Sequence, residues 1–211
     1  MNKFSATVEG GYEGSTSVWL GKLLCCRYVF AEFRTLHLPV RNGDAVKQIP
    51  WRWALGLFKP NEYELLGAWP AQVPLPAIAN ELHDRGMERV HAISAEAVVD
   101  FASRYPGAVT WPPAGGLDAA VPPSSALGFS RRRLAALQSA IATAERLQHS
   151  ITGAIKRKAP FADEGAAVAF LMRALENADR RLQDLPPLPS RTTRRERPAS
   201  PGRSLAIGRP V

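Results

Sequence analysis

The chain has 211 residues, 45% of them hydrophobic and 22% charged, the balance of a globular protein with room for one domain and tails. That balance excludes a collagen-like or wholly disordered polymer, and no apolar run reaches the length of a membrane span or of a secretory signal core. The formal charge of +8 favours an anionic partner, nucleic acid before an acidic membrane surface.

Residues 1–22 are rich in glycine, serine and threonine and predict no regular structure. Cys25 and Cys26 follow, adjacent and therefore unsuited to an ordinary disulfide or to spaced zinc ligands, which fits a reducing compartment and points to the cytoplasm. Residues 28–40 (YVFAEFRTLHLPV) are β-branched and aromatic with partial alternation, and Asn42-Gly43 after them predicts a hairpin turn. Strands follow at 49–58 (IPWRWALGLF) and 62–69 (EYELLGAW), bounded by Lys59-Pro60-Asn61 and Pro70. Three antiparallel strands in meander order result. In 75–83, Leu75, Ile78, Ala79 and Leu82 share one helical face, and Gly86 is placed to end that helix. A short strand at 90–93, a helix at 95–104 and a strand at 107–111 complete the order βββαβαβ, before a proline- and glycine-rich loop to 125. A meander followed by βαβ predicts a mixed α/β sheet of the ribonuclease-H-like kind.

Ser130 is an N-cap candidate for a long helix whose Leu134, Leu137, Ile141, Ala144, Ile151 and Ile155 recur at three and four residues. Ala159-Pro160 breaks it, and a second helix is predicted over 163–182 with Ala166, Val168, Ala169, Leu171, Met172 and Leu175 as its apolar face. Residues 23–182 therefore form the expected core, with two C-terminal helices, and 183–211 a disordered tail rich in proline and arginine. Six arginines there face only Asp184 and Glu196, either as a solvated end or as a non-specific phosphate contact.

The segment AERLQHSITGAIKRKAPFADEGAAVAFLMRALENADRRL resembles the end of the catalytic domain of Mutator-type bacterial insertion-sequence transposases. The resemblance runs through Glu145 and Leu147, the basic Lys156-Arg157-Lys158, Phe161-Ala162-Asp163-Glu164, Ala166-Ala167, Ala174-Leu175 and Asn177. A second block, ALGLFKPNEYELLGAW with AIANELHDRGMERV, is similar to the strand, turn, strand, helix and Arg-Gly sequence that leads to the family's second catalytic aspartate. Together the blocks cover somewhat over half of the chain.

The resemblance implies a ribonuclease-H-like core, DNA as partner, a second copy or a full-length transposase as a further one, and strand cleavage and transfer by Mg²⁺ or Mn²⁺ held on three carboxylates. Glu145 takes the place of the third carboxylate and Glu96 that of the second, as catalytic residues and metal ligands. The first aspartate falls at Arg34, a cation that repels metal. Glu32 on the same strand face is the substitute ligand, and Asp44 in the turn a poorer one. Lys156, Arg157 and Lys158 are the expected nucleic-acid contacts. The family's glutamine, cysteine and histidine cluster and its helical insertion before the third carboxylate have no counterpart. The second reading is accordingly a non-catalytic basic DNA-binding or transposase-interacting fragment. An ordinary exposed glutamate paired with Arg146 or His149 is the plainer account of Glu145, and a favourable helix N-terminal charge that of Glu96.

His37, His83, His91 and His149 are dispersed, without the spacing of a zinc site or a catalytic pair. Trp51, Trp53 and Trp69 on neighbouring strands serve cross-strand packing or stacking on bases.

Overall fold

Glycine at 43 and asparagine at 61, both in the left-handed region with φ of 64° and 65°, turn the chain twice and build the expected meander. The computed structural model describes residues 21–95, 101, 103–111 and 128–184. Its strands are β1 (Arg27–Tyr28), β2 (Phe30–Asn42), β3 (Ala45–Lys59), β4 (Glu62–Pro70), β5 (Arg89–Val90), β6 (Ala92–Ser94) and β7 (Val109–Trp111). Its helices are α1 (Leu75–Asp84), α2 (Arg131–Lys158) and α3 (Glu164–Asp184).

β2 pairs antiparallel with β3 along its whole length, from Phe30↔Leu57 to Asn42↔Ala45. β4 adds on the far side of β3, with an irregularity opposite Ala54/Leu55 that places Leu65 and Ala68 in one core and Leu66 and Trp69 in the other. β6 joins the other edge of β2 in parallel, setting Glu32 opposite Ser94, and β7 runs parallel to β6. The resulting order is β4-β3-β2-β6-β7, a mixed α/β sheet. β1 and β5 form a small parallel pair beside it.

The pleat of β2 explains why both faces of this sheet are covered. Phe30, Leu36, Leu38 and Val40 enter the core beneath α2 and α3, while Ala31 and Phe33 enter the one beneath α1 with Ile78 and Leu82. Trp53 and Trp69 each tie one layer to the sheet. Trp53 Nε1 donates to Gln148 of α2 at 2.7 Å, and Trp69 Nε1 donates to Glu81 of α1 at 2.7 Å. Trp51, Trp53 and Trp69 are all buried, so packing and not base stacking is their use.

Several predicted elements shift. The first strand splits at Val29 and the strand predicted over 90–93 splits at His91, because the tips Arg27–Tyr28 and Arg89–Val90 leave the main sheet to pair with each other. The helix predicted over 95–104 lies mostly outside the described residues, as do nearly all of 1–22 and 183–211. In α3 the buried stripe is Ala167, Leu171, Leu175, Ala178 and Leu182, while Ala166 and Ala169 are exposed. Alanines on both flanks disguise the 3.6-residue period there. Asp163 does not begin α3 but caps it, its Oδ1 accepting from the Ala166 N–H at 2.7 Å. Ser130 caps α2 by accepting from Arg133.

Because β6 is only three residues long, the distal half of β2 has a free edge, which the α2–α3 connection covers. Phe161 donates to the Pro39 carbonyl and accepts from the Arg41 N–H, each at 2.9 Å. α3 is fixed to β4 by buried Asp179, whose Oδ1 accepts from the Leu65 N–H at 2.8 Å and whose Oδ2 meets Lys22 Nζ at 2.9 Å. Among the described residues no helix is long and apolar enough to cross a membrane. Replacing Asp179 by alanine strands the Leu65 N–H and leaves Lys22 only its contact with Glu64 at 3.4 Å, so urea unfolding of D179A is expected to show a loss of about 2 kcal/mol at unchanged m-value.

Candidate functional site

Two opposite charges, Glu32 and Arg34, stand in the otherwise apolar row of β2 that faces α2. Glu32 lies at the centre of the sheet, opposite Leu55 of β3 and Ser94 of β6, and is 2% exposed. Its Oε1 accepts from Arg34 Nε at 2.7 Å and lies 2.6 Å from Nη2, while Oε2 is buried without a partner. From above, α2 brings Glu145 over the same arginine, with Oε1 3.8 Å from Nη2. One guanidinium thus stands between two carboxylates, from a strand and a helix 113 residues apart in sequence.

Desolvation pushes the Glu32 carboxyl up to about 7, against the opposing pull of the Arg34 charge and hydrogen bond and with a further push from Glu145. Glu145 is partly open to solvent, its side chain 22% exposed. The pairing of Glu145 with Arg146 or His149 that the sequence allows does not form. Arg146 donates to Thr143 Oγ1 at 3.0 Å, and His149 Nδ1 meets the backbone carbonyl of Glu145 at 2.8 Å.

Gln148, one turn beyond Glu145, fixes the rotation of α2 above the sheet. Its Nε2 donates to the Thr35 carbonyl at 2.7 Å while its Oε1 accepts from Trp53. Sequence reasoning passed over this residue. A glutamine three positions from Glu145 and one turn before the buried Ile151 was the available signal.

The expected site residues divide. Glu32 and Glu145 come together around Arg34, whereas Glu96 lies outside the described residues, its nearest described neighbours being buried Ser94 and Ala95. Asp44 is exposed at the β2–β3 hairpin tip, roughly 40 Å along the strand from Glu32, and so cannot serve as a ligand beside it. Lys156, Arg157 and Lys158 are exposed in the last turn of α2, where their charge also complements the helix dipole. His91 stacks on Phe129 with ring centroids 5.2 Å apart. Among the described residues no three His, Cys, Asp or Glu side chains are grouped to hold a metal.

Comparison with known protein families and with curated proteins gives no match.

A carboxyl whose folded-state value is raised from 4.5 to about 7 binds more protons folded than unfolded. Its contribution is therefore most favourable below pH 4.5 and declines as the pH rises to about 7. The stability of the wild type minus that of Glu32→Gln is expected to fall by roughly 3 kcal/mol across that window, read by denaturant titration at each pH. Gln148→Leu removes the acceptor of the buried Trp53 indole and one donor to the Thr35 carbonyl, and is expected to lower the thermal midpoint, at a cost of about 2 kcal/mol.

Proposed function

We propose that the chain is a non-catalytic derivative of a Mutator-type transposase, a ribonuclease-H-like core that associates with DNA without cutting it. The strand order supports this reading, since a meander edge, a central first strand and two parallel strands beyond it form the sheet of that fold. Glu32 on the first strand and Glu145 on the helix above it share Arg34, which supports reading them as the substitute first carboxylate and the third one of such an enzyme.

The observation that carries the proposal is Arg34. Its guanidinium lies 2.6 Å from one carboxylate and 3.8 Å from the other, in the volume a divalent ion would need. Mg²⁺ demands oxygens at about 2.0–2.1 Å in near-octahedral array, and a fixed cation between the two donors opposes its entry. The described residues therefore do not fit the metal pair of strand transfer. Charge neutralisation by arginine keeps the fold of the cradle intact while removing its chemistry.

Association with DNA requires only exposed cations, which Lys156-Arg157-Lys158 and the net charge of +8 supply. The test pairs an electrophoretic mobility shift on a 30-base-pair duplex with nicking of supercoiled plasmid in Mg²⁺ or Mn²⁺. Salt-sensitive retention of the duplex, weakened by Lys156→Ala/Arg157→Ala/Lys158→Ala with a salt slope smaller by about 2–3, is expected without nicking. Metal-dependent nicking by the wild type that Glu145→Gln abolishes would overturn the non-catalytic assignment, and absence of any duplex retention would overturn the association with DNA.

A further inference from the structure

α2 carries a second surface on the flank away from Glu145. Ala154 follows Glu145 by nine residues, two and a half turns at about 3.6 residues per turn, so the two point to opposite sides of the helix. On the Ala154 side, α2 and α3 leave between them a cleft of about 360 Å³. Leu147 and Ala154 of α2 and Phe170 of α3 supply its apolar surface, and Arg157, Arg173 and Arg181 its charge.

We infer that this cleft is a docking groove for an acidic amphipathic helix of a partner protein. Charge complementarity selects the acidic partner. The three arginines are exposed, no carboxylate lines the cleft, and among the described residues none of the three forms an ion pair. Arg173 and Arg181 are eight residues apart on α3, about 12 Å along its axis, which spans roughly two turns of an occupant helix.

The apolar surface selects the helix over a nucleic-acid strand. Leucine-like side chains at i, i+3 or i+4, and i+7 match a surface formed by Leu147, Ala154 and Phe170, while glutamates on the flanks of the same helix meet guanidinium forks at the rim. A phosphate backbone laid in the cleft would bring charged oxygens over carbon. The groove lies on the opposite flank from the Glu32–Arg34–Glu145 cluster and shares only Arg157 with the basic run at the end of α2; the inference does not rest on the DNA reading.

The probe is a fluorescein-labelled 14-residue peptide with leucine along one helical face and glutamate on both flanks, titrated with the full chain by fluorescence anisotropy. Saturable binding is expected, weakened at least tenfold in Arg173→Glu/Arg181→Glu, a double variant at exposed positions whose unchanged thermal midpoint establishes folding. The milder Arg173→Ala/Arg181→Ala is expected to fall between the two. A matched peptide with lysine flanks is expected not to bind. No saturable binding of the glutamate peptide, equal binding of the lysine peptide, or affinity indifferent to charge reversal would each overturn the inference. So would a 20-base-pair duplex losing more affinity than the peptide in the double variant, which would make the cleft a phosphate surface.

Discussion

A carboxylate buried in the middle of a sheet must be neutralised by a proton or a cation, and much of this molecule is arranged around how Glu32 meets that demand. Arg34 is the cation, two residues along the same strand and on the same face, where the pleat brings successive alternate side chains together. The match is incomplete. Oε2 has no partner, burial still favours the protonated form, and Glu145 adds a second negative group to the same arginine. A pair so placed costs desolvation that its own attraction does not fully recover.

The surrounding structure holds that centre in place by polar ties at few positions. Gln148 fixes α2 over β2 and β3, Asp179 fixes α3 over β4, and Trp69 with Glu81 fixes α1 on the opposite face. Each tie satisfies a buried donor that otherwise costs stability, so each sets a helix rotation as well as its distance. The rotation of α2 matters most, since it decides which residues look toward Arg34 and which toward α3.

That rotation gives α2 two distinct flanks. One presents Glu145 to the sheet centre. The other presents Ala154 and Arg157 to the cleft, so that the basic run at the end of the helix is shared between two surfaces and does not form a single patch.

Much of the fold was legible in the sequence because it is written locally. Positive φ at Gly43 and Asn61 dictates the turns, Ser130 caps α2, and the apolar periods of 75–83 and 131–158 identify the buried faces. The candidate site was legible only as residue types. That Glu32 and Glu145 share a neighbour, that this neighbour is Arg34, and that Asp44 stands far from both depend on β2 lying beneath α2 and on the length of the β2–β3 hairpin. The splitting of two strands at Val29 and His91, the tie through Gln148 and the open groove beside α3 likewise followed only from tertiary packing. Turns and caps are settled within a few residues by backbone sterics and local hydrogen bonds. Which charge faces which is settled by strand register and helix rotation, and those depend on contacts between residues far apart in the chain.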